Sequence, residues 1–199
     1  MVDDLQKPVG ILALQGDFAK HEAAFSALGQ ETQRVRRPDD LPSVSCLVIP
    51  GGESTTLTRL VDRVGLRQPI CEFAEAHPVM GTCAGLIMMA SATADEEKSD
   101  YGVEPLGLLD CTIARNGYGR QIDSFIADVN VEFIGKSATK FPAVFIRAPR
   151  ITQVGPEVEV LVKHDNEPVL IRQGHLFGMT FHPELTTDLR IHRAFLSLA

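Results

Sequence analysis

The stretch Val79-Met80-Gly81-Thr82-Cys83-Ala84-Gly85-Leu86-Ile87-Met88-Met89-Ala90 predicts a short buried strand, a sharp turn and a helix that begins with an apolar run. Cys83 lies at the turn, with a glycine two residues to either side. This spacing matches the nucleophile elbow, with cysteine in place of serine. The elbow favours small neighbours because the backbone of the nucleophile is strained and other chain passes close to it. Cys83 is therefore the candidate nucleophile.

The start of a helix also suits the chemistry of Cys83. The helix dipole favours negative charge at this end, and the thiolate is the reactive form of cysteine. The backbone N–H of Ala84 could donate to an oxyanion that forms when a carbonyl is attacked. An alternative is that a cysteine between two glycines is only a small residue in a tight turn, so the elbow alone supports a hypothesis and no more.

The composition is that of an ordinary globular protein. Hydrophobic residues make up 44% of the 199 residues and charged residues 23%, and the formal net charge is -7. We therefore expect one domain over residues 1–199, with no nucleic-acid partner. Residues 1–8 lack the pattern of a signal peptide, and no apolar run is long enough to span a membrane. The four cysteines form no CxxC pair and the six histidines have no zinc-ligand spacing, so we expect a cytoplasmic protein without metal.

Strand and helix patterns alternate through the first half of the chain, and this alternation predicts an α/β fold. Apolar runs at 9–14 and 46–49 are typical of strands in a mainly parallel central sheet flanked by helices. A weaker strand is expected at 32–36, and Ser54 is the expected N-cap of a helix. The helical patterns cover 21–28, 54–64, 66–76 and, near the end of the chain, 187–198.

The second half is richer in strands, and we interpret residues 91–105 before it as a solvated acidic loop. A turn at 173–175 joins two strands into an antiparallel hairpin extension of the sheet. Gly51-Gly52 and Cys83 each follow a predicted strand, so both are expected at the same crevice. The strand patterns lie at 109–114, 124–133, 143–146, 158–162, 169–172 and 176–180.

Phe181-His182-Pro183-Glu184 supplies the other groups that cysteine catalysis needs. A base must take the thiol proton, and a further group must orient that base. In an extended segment residues i and i+2 point the same way, so the carboxylate of Glu184 could fix the tautomer of His182. The alternative is a loop histidine with a nearby surface glutamate.

The two motifs together resemble the class I, or triad, glutamine amidotransferases. Further motifs make the resemblance specific to the glutaminase subunits of pyridoxal 5'-phosphate synthase, and it extends over nearly the whole chain. Tyr118 stands where phenylalanine is expected, and the acidic stretch near Asp95 is longer than typical. The supporting motifs are Pro50-Gly51-Gly52-Glu53-Ser54-Thr55-Thr56, Leu14-Gln15-Gly16-Asp17, Arg115-Asn116-Gly117-Tyr118-Gly119-Arg120-Gln121 and Phe145-Ile146-Arg147-Ala148-Pro149.

The resemblance implies that the chain hydrolyses L-glutamine to L-glutamate and ammonia through a Cys-His-Glu triad and a γ-glutamyl thioester. It implies that Cys83 is the nucleophile, His182 the base and acid, and Glu184 the residue that orients His182. It also implies an oxyanion hole formed by the backbone N–H groups of Gly52 and Ala84. The residues it places around the substrate are Gly52, Glu53, Ser54, Arg115, Ile146 and Arg147.

An arginine suits the carboxylate of free glutamine and Glu53 suits its ammonium group. Which arginine binds is left open, and a structural ion pair is the alternative for Arg115 and Arg147. The resemblance further implies no cofactor, no bound pyridoxal phosphate, and a synthase (lyase) subunit that receives the ammonia in a hetero-oligomeric complex.

Three other interpretations stay open at the level of sequence. The first is the glutaminase of another biosynthetic complex and the second is a γ-glutamyl hydrolase, and neither would need residues 115–121. The third is a non-catalytic module that keeps the fold, although the presence of all three triad residues argues against it. A phosphate loop at Gly51-Gly52 is disfavoured because the P-loop lysine and spacing are lacking.

Overall fold

The computed structural model describes residues 7–94, 104–115, 124–135 and 140–198. The described part contains five α-helices and twelve strands. In chain order they are β1 (Val9–Leu12), α1 (Phe18–Ala27), β2 (Thr32–Val35), β3 (Cys46–Ile49), α2 (Ser54–Arg63), α3 (Arg67–Ala74), β4 (Val79–Thr82), α4 (Ala84–Met89), β5 (Ala90–Thr93), β6 (Leu109–Ala114), β7 (Ser124–Asn130), β8 (Lys140–Ile146), β9 (Arg150–Val154), β10 (Glu159–His164), β11 (Glu167–Gln173), β12 (Leu176–Met179) and α5 (Arg190–Leu196).

A seven-stranded sheet in the order β10-β11-β12-β4-β3-β1-β2 forms the centre of the fold. The pairs from β12 to β2 are all parallel, whereas β10, β11 and β12 pair in antiparallel fashion. The predicted α/β fold with a mainly parallel sheet and an antiparallel hairpin extension is therefore confirmed. In the register of β12 with β4, Met179 pairs with Thr82, so the carboxyl ends of these two strands lie side by side.

Hydrophobic residues cover both faces of the central sheet, as expected for parallel strands. In β3, Leu47 and Ile49 pack into one cluster, while Cys46 and Val48 pack into the other. Successive side chains of a strand point to opposite faces, so the two clusters are the two sides of the sheet. All four residues of β3 are fully buried.

Two smaller sheets lie outside the central one, and the sequence patterns did not predict them as such. One has the order β5-β6-β9 and the other pairs β7 with β8. The loop prediction is wrong at residues 91–93, because Ala92 and Thr93 pair with β6. This pairing depends on a strand distant in sequence, which no local pattern indicates. The acidic residues 95–100 and Tyr118 lie outside the described residues.

Several helix boundaries also differ from the predicted ones. The first helix begins at Phe18 rather than at residue 21, and the last spans Arg190–Leu196. The predicted N-cap Ser54 is wrong, because Ser54 is already the first helical residue of α2 and Glu53 is the cap. The carboxylate of Glu53 accepts hydrogen bonds from the backbone N–H groups of Thr55 at 3.0 Å and Thr56 at 2.7 Å. A glutamate side chain is long enough to fold back over the first turn in this way.

The packing of α4 against β3 explains the two glycines of the elbow. A Cβ atom on Gly85 would lie 2.0 Å from the carbonyl oxygen of Ile49, and one on Gly81 would lie 2.6 Å from Met89 Sδ. Such approaches are impossible for real side chains, so α4 can seat against the sheet only with glycine at these positions. All six residues of α4 are buried.

The variant Gly85→Ala should lower the free energy of unfolding by about 3 kcal/mol, because the new methyl group must displace backbone rather than a flexible side chain. Gly29→Ala is the control. Gly29 has a φ of +76° and nothing within 4 Å of an added Cβ, so only backbone strain of about 1 kcal/mol is expected there. Urea unfolding of both variants measures the difference, and equal losses would contradict the close-approach argument.

Candidate active site

Two adjacent parallel strands bring Cys83 and His182 together, although they are far apart in the chain. Cys83 directly follows β4, and His182 lies just beyond the end of β12. The backbone N–H of Cys83 donates to the carbonyl of Met179 at 2.9 Å, and the backbone N–H of His182 donates to the carbonyl of Val144 at 2.8 Å. Both residues are therefore fixed by the backbone of neighbouring strands.

The backbone of Cys83 has the strained conformation that an elbow requires. Its φ is 48° and its ψ is -103°, a combination that non-glycine residues rarely adopt. The side chain is buried, with 7% of the residue exposed, and Sγ lies 3.9 Å from the carbonyl oxygen of Ile146. The N–H groups of the first turn of α4, beginning with Ala84, have no acceptor within the helix and are available to an anion at the elbow.

His182 and Glu184 form a buried pair. His182 Nδ1 lies 2.7 Å from Glu184 Oε1, and both side chains are almost fully excluded from solvent. The contact arises in a different way from the predicted extended segment. Only His182 is extended, whereas Pro183–Leu185 forms a 3₁₀ turn that folds the carboxylate back under the imidazole. Glu184 therefore holds Nδ1 and leaves Nε2 of His182 for Cys83.

The electrostatics of this pair favour an imidazolium on His182. Burial alone lowers the pKa of His182, but hydrogen bonds to Cys83 and Glu184 outweigh it and raise the pKa to about 10. For Glu184, burial alone raises the pKa, but the facing imidazoles of His21 and His182 prevail and the pKa lies below its usual value. An imidazolium beside the thiol stabilises a thiolate, and the carboxylate of Glu184 stabilises the imidazolium.

The other cysteines are poor nucleophiles by comparison. Burial raises the pKa of Cys46 to about 11 and that of Cys111 to about 12. Burial also raises the pKa of the partly exposed Cys71. Of the cysteines, only Cys83 lies beside a histidine that carries a carboxylate partner.

The Gly51-Gly52 loop packs directly against the imidazole of His182. A Cβ on Gly51 would lie 2.3 Å from Cε1 of His182, so only glycine allows the loop to approach the imidazole. Three contacts anchor the loop. The N–H of Gly51 donates to Thr82 Oγ1 at 3.0 Å, its carbonyl accepts from Asp17 N–H at 3.4 Å, and Gln15 Oε1 accepts from the N–H of Glu53 at 3.1 Å.

The elbow, the Gly51-Gly52 loop and the segment around His182 form an open cavity of about 530 Å³, and Cys83 and His182 lie on its wall. All the substrate-contacting residues expected from the resemblance line it, whereas Ala84 and Glu184 lie behind the wall. Arg147 has a left-handed backbone with a φ of 42°. The lining residues are Gln15, Gly16, Asp17, Gly51, Gly52, Glu53, Ser54, Thr55, Cys83, Ile87, Arg115, Ile146, Arg147 and His182.

Sequence reasoning assigned no role to several residues at this site. Gln15 belongs to a quoted motif, and its position after β1 could have indicated the site, since this is also the carboxyl end of a parallel strand. His21 and Thr82, which contact each other behind the triad, carry no such signal. Residues 116–121 of the quoted motif lie outside the described residues. Within the described ranges no cluster of His, Cys, Asp or Glu could hold a metal ion, and no helix could cross a membrane.

Comparison with known proteins identifies the family that this site resembles. The model of the SNO glutamine amidotransferase family matches residues 11–198. A relative from Mycolicibacterium vanbaalenii, named pyridoxal 5'-phosphate synthase subunit PdxT, is 48% identical over 190 residues, which cover 95% of this chain and 96% of the relative. The protein of the same name from Thermotoga petrophila is 44% identical over 191 residues, which cover 96% and 98% of the two chains.

Solved structures agree with this result. One described as the crystal structure of glutamine amidotransferase superposes with a TM-score of 0.88 at 41% identity, covering 96% of this chain and 97% of the other. PurLQS from Thermotoga maritima superposes with a TM-score of 0.69 at 17% identity, covering 96% and 98%. The second likeness shows a shared fold alone.

The charge arrangement predicts how fast iodoacetamide alkylates Cys83. The imidazolium of His182 should favour alkylation of Cys83, because a positive charge beside the sulfur stabilises the thiolate that attacks iodoacetamide. His182→Ala should therefore slow alkylation of Cys83 by about tenfold. Mass spectrometry of the peptide that contains Cys83 measures the rate, and Cys71 serves as an internal control that should not change. An unchanged rate at Cys83 would contradict the ion pair.

Proposed function

The chain belongs to the SNO glutamine amidotransferase family and is a glutaminase subunit for the synthesis of pyridoxal 5'-phosphate (vitamin B6), and we propose that it hydrolyses L-glutamine through Cys83, His182 and Glu184. One observation carries the assignment of residues. A buried Glu184–His182 pair lies beside a strained cysteine at the start of a helix, and Cys83 and His182 line a cavity of about 530 Å³, which is large enough for glutamine.

In the proposed first half-reaction the thiolate of Cys83 attacks the side-chain carboxamide carbon of glutamine. A C–S bond forms, and the negative charge moves to the carboxamide oxygen. The Nε2 proton of His182 passes to the amide nitrogen, so that the C–N bond breaks and ammonia leaves. A γ-glutamyl thioester remains on Cys83.

In the second half-reaction His182 acts as a base. It takes a proton from water, and the resulting hydroxide attacks the thioester carbon. The C–S bond breaks, Cys83 returns as the thiolate beside a protonated imidazole, and the new γ-carboxyl group loses its proton to solvent or to the released ammonia as L-glutamate leaves. The role of Glu184 throughout is to hold His182 in one orientation and to stabilise its positive charge.

The proposed oxyanion hole consists of the backbone N–H groups of Gly52 and Ala84. Different features of the structure support the two N–H groups. Ala84 is at the first turn of α4, where the N–H is free of the helix ladder and the dipole adds positive charge. Gly52 belongs to a loop held by its neighbours, and a peptide flanked by glycine can flip at little steric cost. This half of the hole can therefore exist in formed and unformed states.

We further propose that the substrate's charged groups bind to the residues expected from the sequence. Arg115 and Arg147 line the cavity and suit the carboxylate, and Ser54 and Ile146 complete the wall. Glu53 remains the candidate for the ammonium group, although its carboxylate oxygens already accept hydrogen bonds from the first turn of α2. A glutamate that caps a helix is held rigidly, which suits recognition of a cation.

The proposed partner is the synthase (lyase) subunit, in a hetero-oligomeric complex. The relatives are named as subunits of pyridoxal 5'-phosphate synthase, which supports such an assembly. Ammonia released into water is largely protonated, and the ammonium ion is not a nucleophile, so direct passage to the second active site preserves it. We propose that docking orders the Gly51-Gly52 peptide and thereby completes the oxyanion hole. The cytoplasmic location and the single domain over residues 1–199 stay predictions.

The variants of the triad should rank in a fixed order. Cys83→Ala should abolish release of ammonia from glutamine, and His182→Ala should be nearly as damaging because the two residues act as a unit. Glu184→Gln keeps an acceptor for Nδ1 but loses the charge, so kcat should fall less, by about a hundredfold. Coupled detection of glutamate measures all three, with Cys111→Ala as the control. Equal rates for Glu184→Gln and His182→Ala would require a larger role for Glu184 than orientation.

The synthase subunit should raise the glutaminase rate of the purified chain, because only the docked state has a complete oxyanion hole. The measurement compares glutamate formation with and without the synthase and follows the complex by size-exclusion chromatography. γ-Glutamyl peptides serve as competing substrates that test for a γ-glutamyl hydrolase. Equal rates with no complex would reject both the partner and its control of the loop.

A further inference from the structure

A chain of three buried imidazoles and one carboxylate continues the triad into the interior. Beyond His182 and Glu184, the second carboxylate oxygen Oε2 of Glu184 is buried without a hydrogen bond among the described residues, and it lies at an ion-pair distance of 3.5 Å from His21 Nε2. His21 Nδ1 in turn lies 3.2 Å from His192 Nε2. His21 and His192 are completely buried, and they come from α1 and α5 respectively. The catalytic steps proposed above use neither of them.

One placement of the protons fits this chain better than its reverse. An ionised carboxylate is an acceptor, so the atom that faces Glu184 Oε2 must carry a proton, which places it on His21 Nε2. His21 Nδ1 is then an acceptor, and His192 Nε2 donates to it. His192 Nδ1 is left as a bare lone pair, which agrees with its lack of a partner among the described residues.

The reverse placement is unfavourable at both ends. It would turn the lone pair of His21 Nε2 towards the carboxylate of Glu184, and it would leave a buried N–H donor on His192 Nδ1 without an acceptor. A buried donor left unsatisfied costs about 1 to 3 kcal/mol.

The surroundings keep both inner imidazoles neutral. Burial lowers the pKa of His21 and outweighs the opposing charge of Glu184. Burial, together with His21, lowers the pKa of His192 to about 3. The titratable groups around Glu184 are His182 from its own segment, His21 from α1 and His192 from α5, and Asp17 also acts on His21 from the start of α1. The chain therefore carries one negative charge inside, on Glu184, and one positive charge on His182.

His21 also contacts the elbow strand. Its Nε2 lies 3.4 Å from Thr82 Oγ1, the same oxygen that accepts the N–H of Gly51. The imidazole thus lies where the carboxylate of the triad and the anchor of the Gly51-Gly52 loop meet.

We propose that His21 is a positioning residue of the glutaminase site, whose Nε2–H holds one oxygen of Glu184 so that the other stays on His182. The inference rests on the proposed function for its kinetic part. His192 serves this arrangement by fixing the tautomer of His21.

The variants His21→Leu and His21→Gln separate the hydrogen bond from packing. Leucine fills the space without a donor, and kcat should fall about tenfold, the equivalent of one hydrogen bond to a charged group, with KM little changed. The amide of glutamine can donate to Glu184 Oε2 and should recover most of kcat. Phe25→Leu is the matched control, because Phe25 lies in the same helix and packs against His192 at 5.1 Å between ring centroids. It should lower stability without lowering kcat.

The pH profile distinguishes positioning from a structural role. A donor to Glu184 lowers the pKa of that carboxyl, so its removal raises the pKa again and protonation begins at higher pH. The acid limb of kcat should therefore move to higher pH in His21→Leu by about one unit, and should stay in place in His21→Gln and Phe25→Leu. An acid limb that does not move in His21→Leu, or that moves equally in Phe25→Leu, overturns the proposal.

Nitrogen NMR of the unmodified chain tests the proton placement without any activity. Two-bond ¹H–¹⁵N correlation spectra should show His21 and His192 as neutral rings protonated at Nε2 at pH 7, with the His21 signals assigned by their loss in His21→Gln. A proton on Nδ1 of His21, or a charged ring, overturns the proposal even where His21→Leu does not fold. An unmodified chain that shows the expected tautomers but releases no ammonia from glutamine, even with the synthase subunit present, contradicts the proposed function and leaves the hydrogen-bond chain standing.

Discussion

The close approach of α4 to the carbonyl of Ile49 is the constraint on which the site depends. Because Gly85 has no side chain, the helix can lie against the end of β3, and the turn before it is forced into the left-handed conformation of Cys83. The turn directs the thiol towards the end of β12, where His182 follows. The conformational strain at Cys83 is thereby offset by the burial of α4 and by the parallel pairing of β4 with a strand on each side.

Much of this could be predicted from the sequence, because the strong signals are local. Apolar runs such as that of β3 indicate strands buried on both faces, and the carboxyl ends of parallel strands meet at one edge of the sheet. That rule was enough to bring Cys83 and the Gly51-Gly52 loop together. Strands β5 and β9 were missed because their pairing partners are distant in sequence and, in β9, most side chains are not buried. The cap of α2 was assigned to Ser54 because short polar residues usually fill that position, whereas here Glu53 folds back.

The residues behind the triad mark the limit of sequence reasoning at the site. His21 lies on the buried face of α1, and nothing in its sequence neighbours distinguishes an imidazole that faces a buried carboxylate from one that only fills the core. Its importance depends on three distances that exist only in the folded chain. The 3₁₀ turn at Pro183–Leu185 likewise folds Glu184 back onto His182, whereas the sequence spacing predicted that an extended segment would bring the two side chains together. The residue types predicted the kind of chemistry, whereas contacts between distant parts of the chain determine which atoms take part in it.

The near burial of Cys83 has a consequence for inhibitor chemistry. Only 7% of the residue is exposed, and the approach to it is a cavity of about 530 Å³ that contains two arginines. A covalent drug lead must therefore be compact enough to enter, and an anionic group would be drawn to the same wall as the warhead. A reagent too large to enter the cavity, such as a polymer that carries a thiol-reactive group, cannot reach the sulfur. The size and charge of an inhibitor can thus make it selective for Cys83 over other cysteines of the cell, even when its reactive group is only a modest electrophile.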